Sequence, residues 1–158
     1  MKLAIGYNLI DGPWGGANLF AKSLTCYLTE LNVEVFSDLS CPDLDIILLT
    51  EPRRNLGSGS FNDRDIKKYI DSVNSNAIVV QRINDCDERR ENHYLNSRII
   101  WANSIVDHTV YIGKWLEPLF SSQGEMSKEW NVVWNGSDPN VFNSDAAIAY
   151  DEEEPLRL

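Results

Sequence analysis

Short apolar runs alternate with segments of helical period along this chain. Leu3-Ala4-Ile5-Gly6-Tyr7 is a continuous apolar run, the mark of a strand buried on both faces. Asp11-Gly12-Pro13-Trp14-Gly15-Gly16 then breaks it with turn chemistry. From Ala17 the period changes, and Phe20, Leu24, Tyr27, Leu28 and Leu31 recur at helical spacing. Residues 2–31 therefore read as strand, glycine loop, helix. Val33–Phe36 and Leu44–Thr50 predict the second and third strands. Pro52 and Asn55–Ser60 predict a surface loop. Asn62 or Asp63 then caps a helix to about Asn74, with Ile66, Tyr69, Ile70 and Val73 on its apolar face.

Ala77–Ile83 predicts a fourth strand, followed by the polar loop Asn84–Arg90. A helix over 91–105 is expected to bury Tyr94, Leu95, Ile99 and Ala102. His108–Ile112 predicts a fifth strand, and Gly113–Phe120 a short helix that Pro118 shortens or bends. Trp130–Trp134 predicts a sixth strand, with a tight turn at Asn135–Pro139. Alternating short apolar strands and helices imply an α/β fold, a doubly wound, mostly parallel, Rossmann-like sheet. Right-handed crossovers leave few topologies, and the order 3-2-1-4-5-6 is the expectation.

That order selects the candidate site. Ligands of open α/β sheets sit beyond the carboxyl ends of the strands, where the strand order reverses. The predicted reversal lies between the first and fourth strands, so loops 8–16 and 82–90 face the ligand. Gly12, Gly15 and Gly16 precede a helix, and bare backbone N–H groups there suit a phosphate or a sugar hydroxyl. Equally, such glycines serve a corner that needs positive φ. The spacing is neither GxGxxG nor GxxxxGK[ST], which weakens dinucleotide and P-loop readings. In the second loop, Arg82, Asn84 and Asp85 offer donors and acceptors suited to sugar hydroxyls or phosphate. A solvated polar loop is the plainer alternative.

Composition narrows the classes. The chain has 158 residues and is 43% hydrophobic, enough for one domain with a substantial core. A net charge of −10 argues against general nucleic-acid or anionic-lipid binding. The charge is uneven: basic groups are concentrated in 51–100, and acids dominate beyond. Three cysteines without CxxC spacing argue against a disulfide framework or zinc site and suit a cytoplasmic setting. No apolar run approaches the about 20 residues of a membrane span. Neither His93 nor His108 sits in a nucleophile or metal motif, so structural roles are expected. A metal site is not expected. Of the tryptophans, Trp101, Trp115, Trp130 and Trp134 read as core, and Trp14 as a platform for a sugar face.

The Gly-Gly loop after the first strand, together with Val132-Val133-Trp134-Asn135-Gly136-Ser137-Asp138-Pro139-Asn140-Val141-Phe142, resembles the N-terminal half of retaining GT-B-fold glycosyltransferases of family 4. Their N-terminal domain often closes on V-I-x-N-G-V-D-x-x-x-F. Asn135, Gly136, Asp138 and Phe142 stand at matching positions, with Ser137 in place of the usual Val. Gln81–Asp85 also looks like the fourth-strand loop of a subgroup. The resemblance implies an acceptor-binding domain over 1–150, then a linker and the start of a missing nucleotide-sugar-binding domain over 151–158. It implies transfer of a sugar from a nucleotide-sugar to an acceptor hydroxyl with retention, without metal or other cofactor. This half alone would be inactive. Gly15 and Gly16 would approach the donor phosphates or transferred sugar; Trp14, Arg82, Asn84 and Asp85 would line the acceptor side; Asn135, Gly136 and Asp138 would form the interdomain turn. The family's histidine near the fourth strand has no counterpart here, so the catalytic base is unassigned. In this chemistry the leaving phosphate helps deprotonate the acceptor. The alternative reading is a non-catalytic Rossmann-like binding or regulatory module.

Overall fold

A computed structural model describes residues 1–12, 14–53, 58–89 and 93–137. Its sheet comprises β1 (Lys2–Ile5), β2 (Glu34–Phe36), β3 (Ile46–Leu49), β4 (Ile78–Ile83), β5 (His108–Tyr111) and β6 (Trp130–Val132). The helices are α1 (Gly16–Glu30), α2 (Asp63–Ser72), α3 (Leu95–Asn103) and α4 (Leu116–Ser121), and a 3-10 turn spans Asp87–Arg89. Every strand pairing is parallel. The chain is an α/β, Rossmann-like domain.

The strand order is β2-β1-β3-β4-β5-β6, which corrects the predicted 3-2-1-4-5-6. The reason lies in the connection between β2 and β3. Residues 37–45 form no helix there, and they carry Leu39, Cys41 and Leu44 onto the face of β1 that presents Ala4. A right-handed return over that face delivers β3 to the far side of β1. The small side chain of Ala4 leaves room for the crossing. Strand order therefore reverses between β1 and β3, one strand earlier than predicted.

Alternation divides the core. Leu3, Ile5, Tyr7 and Leu48 pack beneath Ala21, Phe20, Leu24 and Leu28 of α1. On the opposite face Ile47, Leu49 and Val79 meet Ile66 and Tyr69 of α2, and Ile83 and Tyr111 meet Leu95, Ile99, Leu116 and Phe120 of α3 and α4. Asn62 caps α2, accepting from the Arg64 N–H at 2.9 Å while Asp65 accepts from the Asn62 N–H at 3.0 Å. Pro118 occupies the first turn of α4, where it costs no helical hydrogen bond. Beneath the site a buried network fixes β4 and β5. The Asn103 amide donates to Gln81 Oε1 at 2.7 Å and to Thr109 Oγ1 at 2.8 Å, and it accepts from the Ser127 N–H at 2.6 Å.

Several expected core residues are exposed. Tyr27 of α1, Leu31 just after it, Val73 after α2, and Tyr94 before α3 face solvent. So do Trp101, Trp115, Trp130 and Trp134. Helical period marks a stripe, but the ends of an amphipathic helix overhang the sheet it covers. The tryptophans lie on helix backs, a loop and the edge strand β6, where aromatic character says nothing of orientation. Cys41 and Cys86 are buried and Cys26 is exposed, all free thiols. No helix among the described residues is long and apolar enough to cross a membrane.

Candidate functional site at the carboxyl ends of β1, β3 and β4

A cavity of about 220 Å³ opens at the strand-order reversal. Tyr7 from the β1 loop, Ala17 and Phe20 from α1, Thr50–Arg53 and Ser58 after β3, Gln81–Asp85 at the end of β4, and Leu95 and Ile99 from α3 line it. The predicted Arg82, Asn84 and Asp85 are thus brought together. The loop after β3, which the assumed strand order placed elsewhere, supplies Thr50, Glu51 and Arg53.

The β1 loop is held by side chains that sequence reasoning missed. Asn18 is buried on α1; its amide donates to the Ile10 carbonyl at 2.8 Å and accepts from the Ile10 N–H at 3.0 Å. Thr50 Oγ1 donates to the Gly6 carbonyl at 2.8 Å. A Cβ on Gly6 would lie 2.9 Å from the Phe61 ring, so the β1 exit leaves no space for a side chain. An asparagine one turn into a helix after a glycine loop is a recognisable sign of such folding back.

Gly12 and Gly15 adopt positive φ, 97° and 85°, which satisfies the corner reading of these glycines. Gly16 has an ordinary φ and begins α1. A Cβ at Gly15 or Gly16 would meet nothing within 4 Å. Neither glycine lines the cavity; Ala17, the next residue, does. Gly15 is the N-cap of α1 without a side-chain cap, so the first helical N–H groups have no side-chain acceptor there. Trp14 is exposed beside Gly12, and its indole N–H donates to the Asp11 carbonyl at 2.9 Å. It stands apart from the lining of the cavity.

Charges within the cavity are sorted. Arg53 grips Glu51 through two guanidinium bonds of 2.8 and 2.7 Å. That pair, with a smaller contribution from Asp85, holds the Arg53 guanidinium above its ordinary value. Asp85 also accepts from the Cys86 N–H at 3.1 Å. Arg82 is different. It is 9% exposed, its guanidinium carbon sits 3.8 Å from the centre of the Phe20 ring, and its Nη2 donates to Asn135 Oδ1 at 2.8 Å. Burial pushes its pKa down. Among the described residues no carboxylate pairs with it.

The Asn135 contact ties the chain after β6 to the cleft. Gly136 is exposed beside it; Asp138 lies outside the described residues, as do 139–158. His108 Nε2 and Asn131 Oδ1 lie 3.0 Å apart on β5 and β6, and His93 is exposed before α3. Neither histidine lines the cavity. No group of three or more metal-ligating side chains gathers among the described residues. No family model matches the chain, and no curated protein matches it.

Proposed function

We propose that this domain is the N-terminal, acceptor-binding half of a retaining glycosyltransferase, one wall of a cleft in which a nucleotide-sugar donates its sugar to an acceptor hydroxyl. The observation that carries the reading is the Arg82–Asn135 bond. It joins the Asn-Gly-Ser-Asp segment, on which the family resemblance rests, to the carboxyl end of β4, where an α/β sheet receives ligands. Asn84, Arg82 and Thr50 supply the acceptor wall with the directional polar groups that hydroxyls require. In this reading the uncapped start of α1 faces the donor phosphates. The departing diphosphate supplies the basicity, and the domain contributes positioning.

The test is nucleotide release from a panel of nucleotide-sugars by the polypeptide of the complete reading frame. Arg82→Ala is expected to reduce turnover on the order of tenfold or more through lost binding. The 158-residue chain alone is expected to bind acceptor without turnover. A folded full polypeptide with no affinity for any nucleotide-sugar overturns the reading. It would favour the second one, a non-catalytic binding module, for which the placement of both histidines away from the cavity speaks.

A further inference from the structure

Asn135-Gly136 is the one asparagine–glycine dipeptide of the sequence. A glycine after asparagine leaves its backbone nitrogen unshielded, since no Cβ stands over the approach to the asparagine amide. Three local features keep that approach open in the folded chain. β6 ends at Val132, and residues 133–137 belong to neither strand nor helix. A Cβ on Gly136 would meet nothing within 4 Å, and both residues are exposed. Among the described residues no hydrogen bond engages the Gly136 N–H or the Asn135 Nδ2. Asn74, also in a turn, is the contrast: its amide donates to the Leu44 carbonyl at 2.9 Å and accepts from the Asn76 N–H at 3.0 Å.

The other half of the site is Arg82. Its guanidinium, set against the Phe20 ring, donates from Nη2 to Asn135 Oδ1 at 2.8 Å. That oxygen is the one that gains negative charge when a nucleophile adds to Asn135 Cγ. A fixed cationic donor on it is the arrangement that stabilises a tetrahedral oxyanion. The same donation draws electrons from Cγ before attack. The bond that ties the chain after β6 to the cleft therefore polarises an amide that stands open to its neighbour's nitrogen.

We propose that Asn135 is a site of spontaneous deamidation, with Arg82 as the oxyanion donor and as the counter-ion of the product. The Gly136 nitrogen loses its proton to solvent and forms a bond to Asn135 Cγ. The Cγ–Nδ2 bond then breaks, and Nδ2 leaves as ammonia with a proton from water. Water opens the resulting succinimide. Attack at Cγ restores the peptide link and gives aspartate; attack at the main-chain carbonyl gives isoaspartate. Either way a neutral amide becomes a carboxylate beside a guanidinium that pairs with no carboxylate among the described residues. The chemistry consumes only water and needs no sugar. It goes beyond the transfer reading, and its failure leaves that reading standing.

The experiment ages the 158-residue chain at mildly alkaline pH, folded and in urea, and follows the one-dalton mass gain at each asparagine by peptide fragmentation. Variants are Gly136→Ala, Arg82→Gln and Arg82→Lys, with Lys67→Gln on α2 as control. In the folded chain Asn135 is expected to convert on the order of tenfold or more faster than Asn74. G136A should slow conversion at Asn135 on the order of tenfold. R82Q should slow it several-fold in the folded state, R82K should regain part of the rate, and neither should change it in urea. K67Q should match wild type. Asn135→Asp reproduces the aspartate product, and its urea midpoint is expected above wild type, with no such rise when R82Q is added. Folded wild type that keeps Asn135 intact while the unfolded chain converts it overturns the proposal. So does equal conversion in folded wild type and folded R82Q, or an N135D midpoint that does not rise.

Discussion

Two of the arginines withdrawn from water in this domain, Arg98 and Arg82, are treated in opposite ways. Arg98 on α3 reaches Asp63, the first residue of α2, and the two form a fork-like ion pair that is largely buried at the seam between the helices. Arg82, at the end of β4, is more deeply buried and meets an aromatic ring and an amide. The seam spends its charge on the fold. Among the described residues the charge in the cleft meets no carboxylate. The contrast separates a structural arginine from one held ready for something outside the chain, a distinction that burial alone does not make.

The largest effect is expected on the structural side. Asp63→Asn leaves Arg98 partly buried without its counter-charge and weakens the start of α2, so urea unfolding should show a loss of about 2–3 kcal/mol. A loss below about 0.5 kcal/mol would erase the contrast. Arg82→Met should behave differently. It keeps the apolar stem and removes a buried charge that meets no carboxylate among the described residues, so stability should hold or rise by up to about 1 kcal/mol. A destabilised R82M would show that Arg82 too serves the fold. Asn135→Ala is a finer probe. Asn135 is exposed and neutral, so its removal should cost about 0.5 kcal/mol or less while shifting the Arg82 side-chain NMR signal.

The smallest effect is a matter of pH. Asn96, with help from Gln123, donates to the Glu88 carboxylate and holds its pKa below the usual range. A carboxylate whose pKa is depressed by folding stabilises above its unfolded pKa, and loses that contribution as pH falls through the folded value. Wild type should therefore lose slightly more stability than Glu88→Gln between pH 6 and pH 3, by chemical denaturation. Equal losses would show that the Asn96 contact is solvent-screened to nothing.

The elements were legible because period and punctuation agree in them. Ile46–Leu49 is too short and too uniformly apolar for an exposed helix, and Asn62 followed by Asp65 announces a helix start. The strand order was not legible. It depends on which face the helix-less segment 37–45 crosses, a choice made by the fit of Leu39, Cys41 and Leu44 over Ala4. That error propagated: of the two loops expected to face a ligand, the one after β4 lines the cavity while no described residue of 8–16 does, and Glu51 and Arg53 were overlooked because β3 was assigned to the far edge. Arg82 was picked for its residue type and strand-end position. What makes it unusual, the lack of a carboxylate partner among the described residues, is a property of three-dimensional neighbours. The tryptophans erred the other way, since their large apolar area was read as burial although the sheet and helices never enclose it.

The reversal of strand order also orders events in time. β1 takes both of its neighbours from later in the sequence, β2 at Glu34–Phe36 and then β3 at Ile46–Leu49. As the chain leaves the ribosome, the first strand and α1 emerge with one side of that strand still bare until about residue 49 is available. A nascent chain arrested between β2 and β3 would present an apolar strand edge to solvent and to its neighbours. Closing that edge pairs Leu3–Ile5 with Ile46–Leu48, a contact between segments far apart in the sequence.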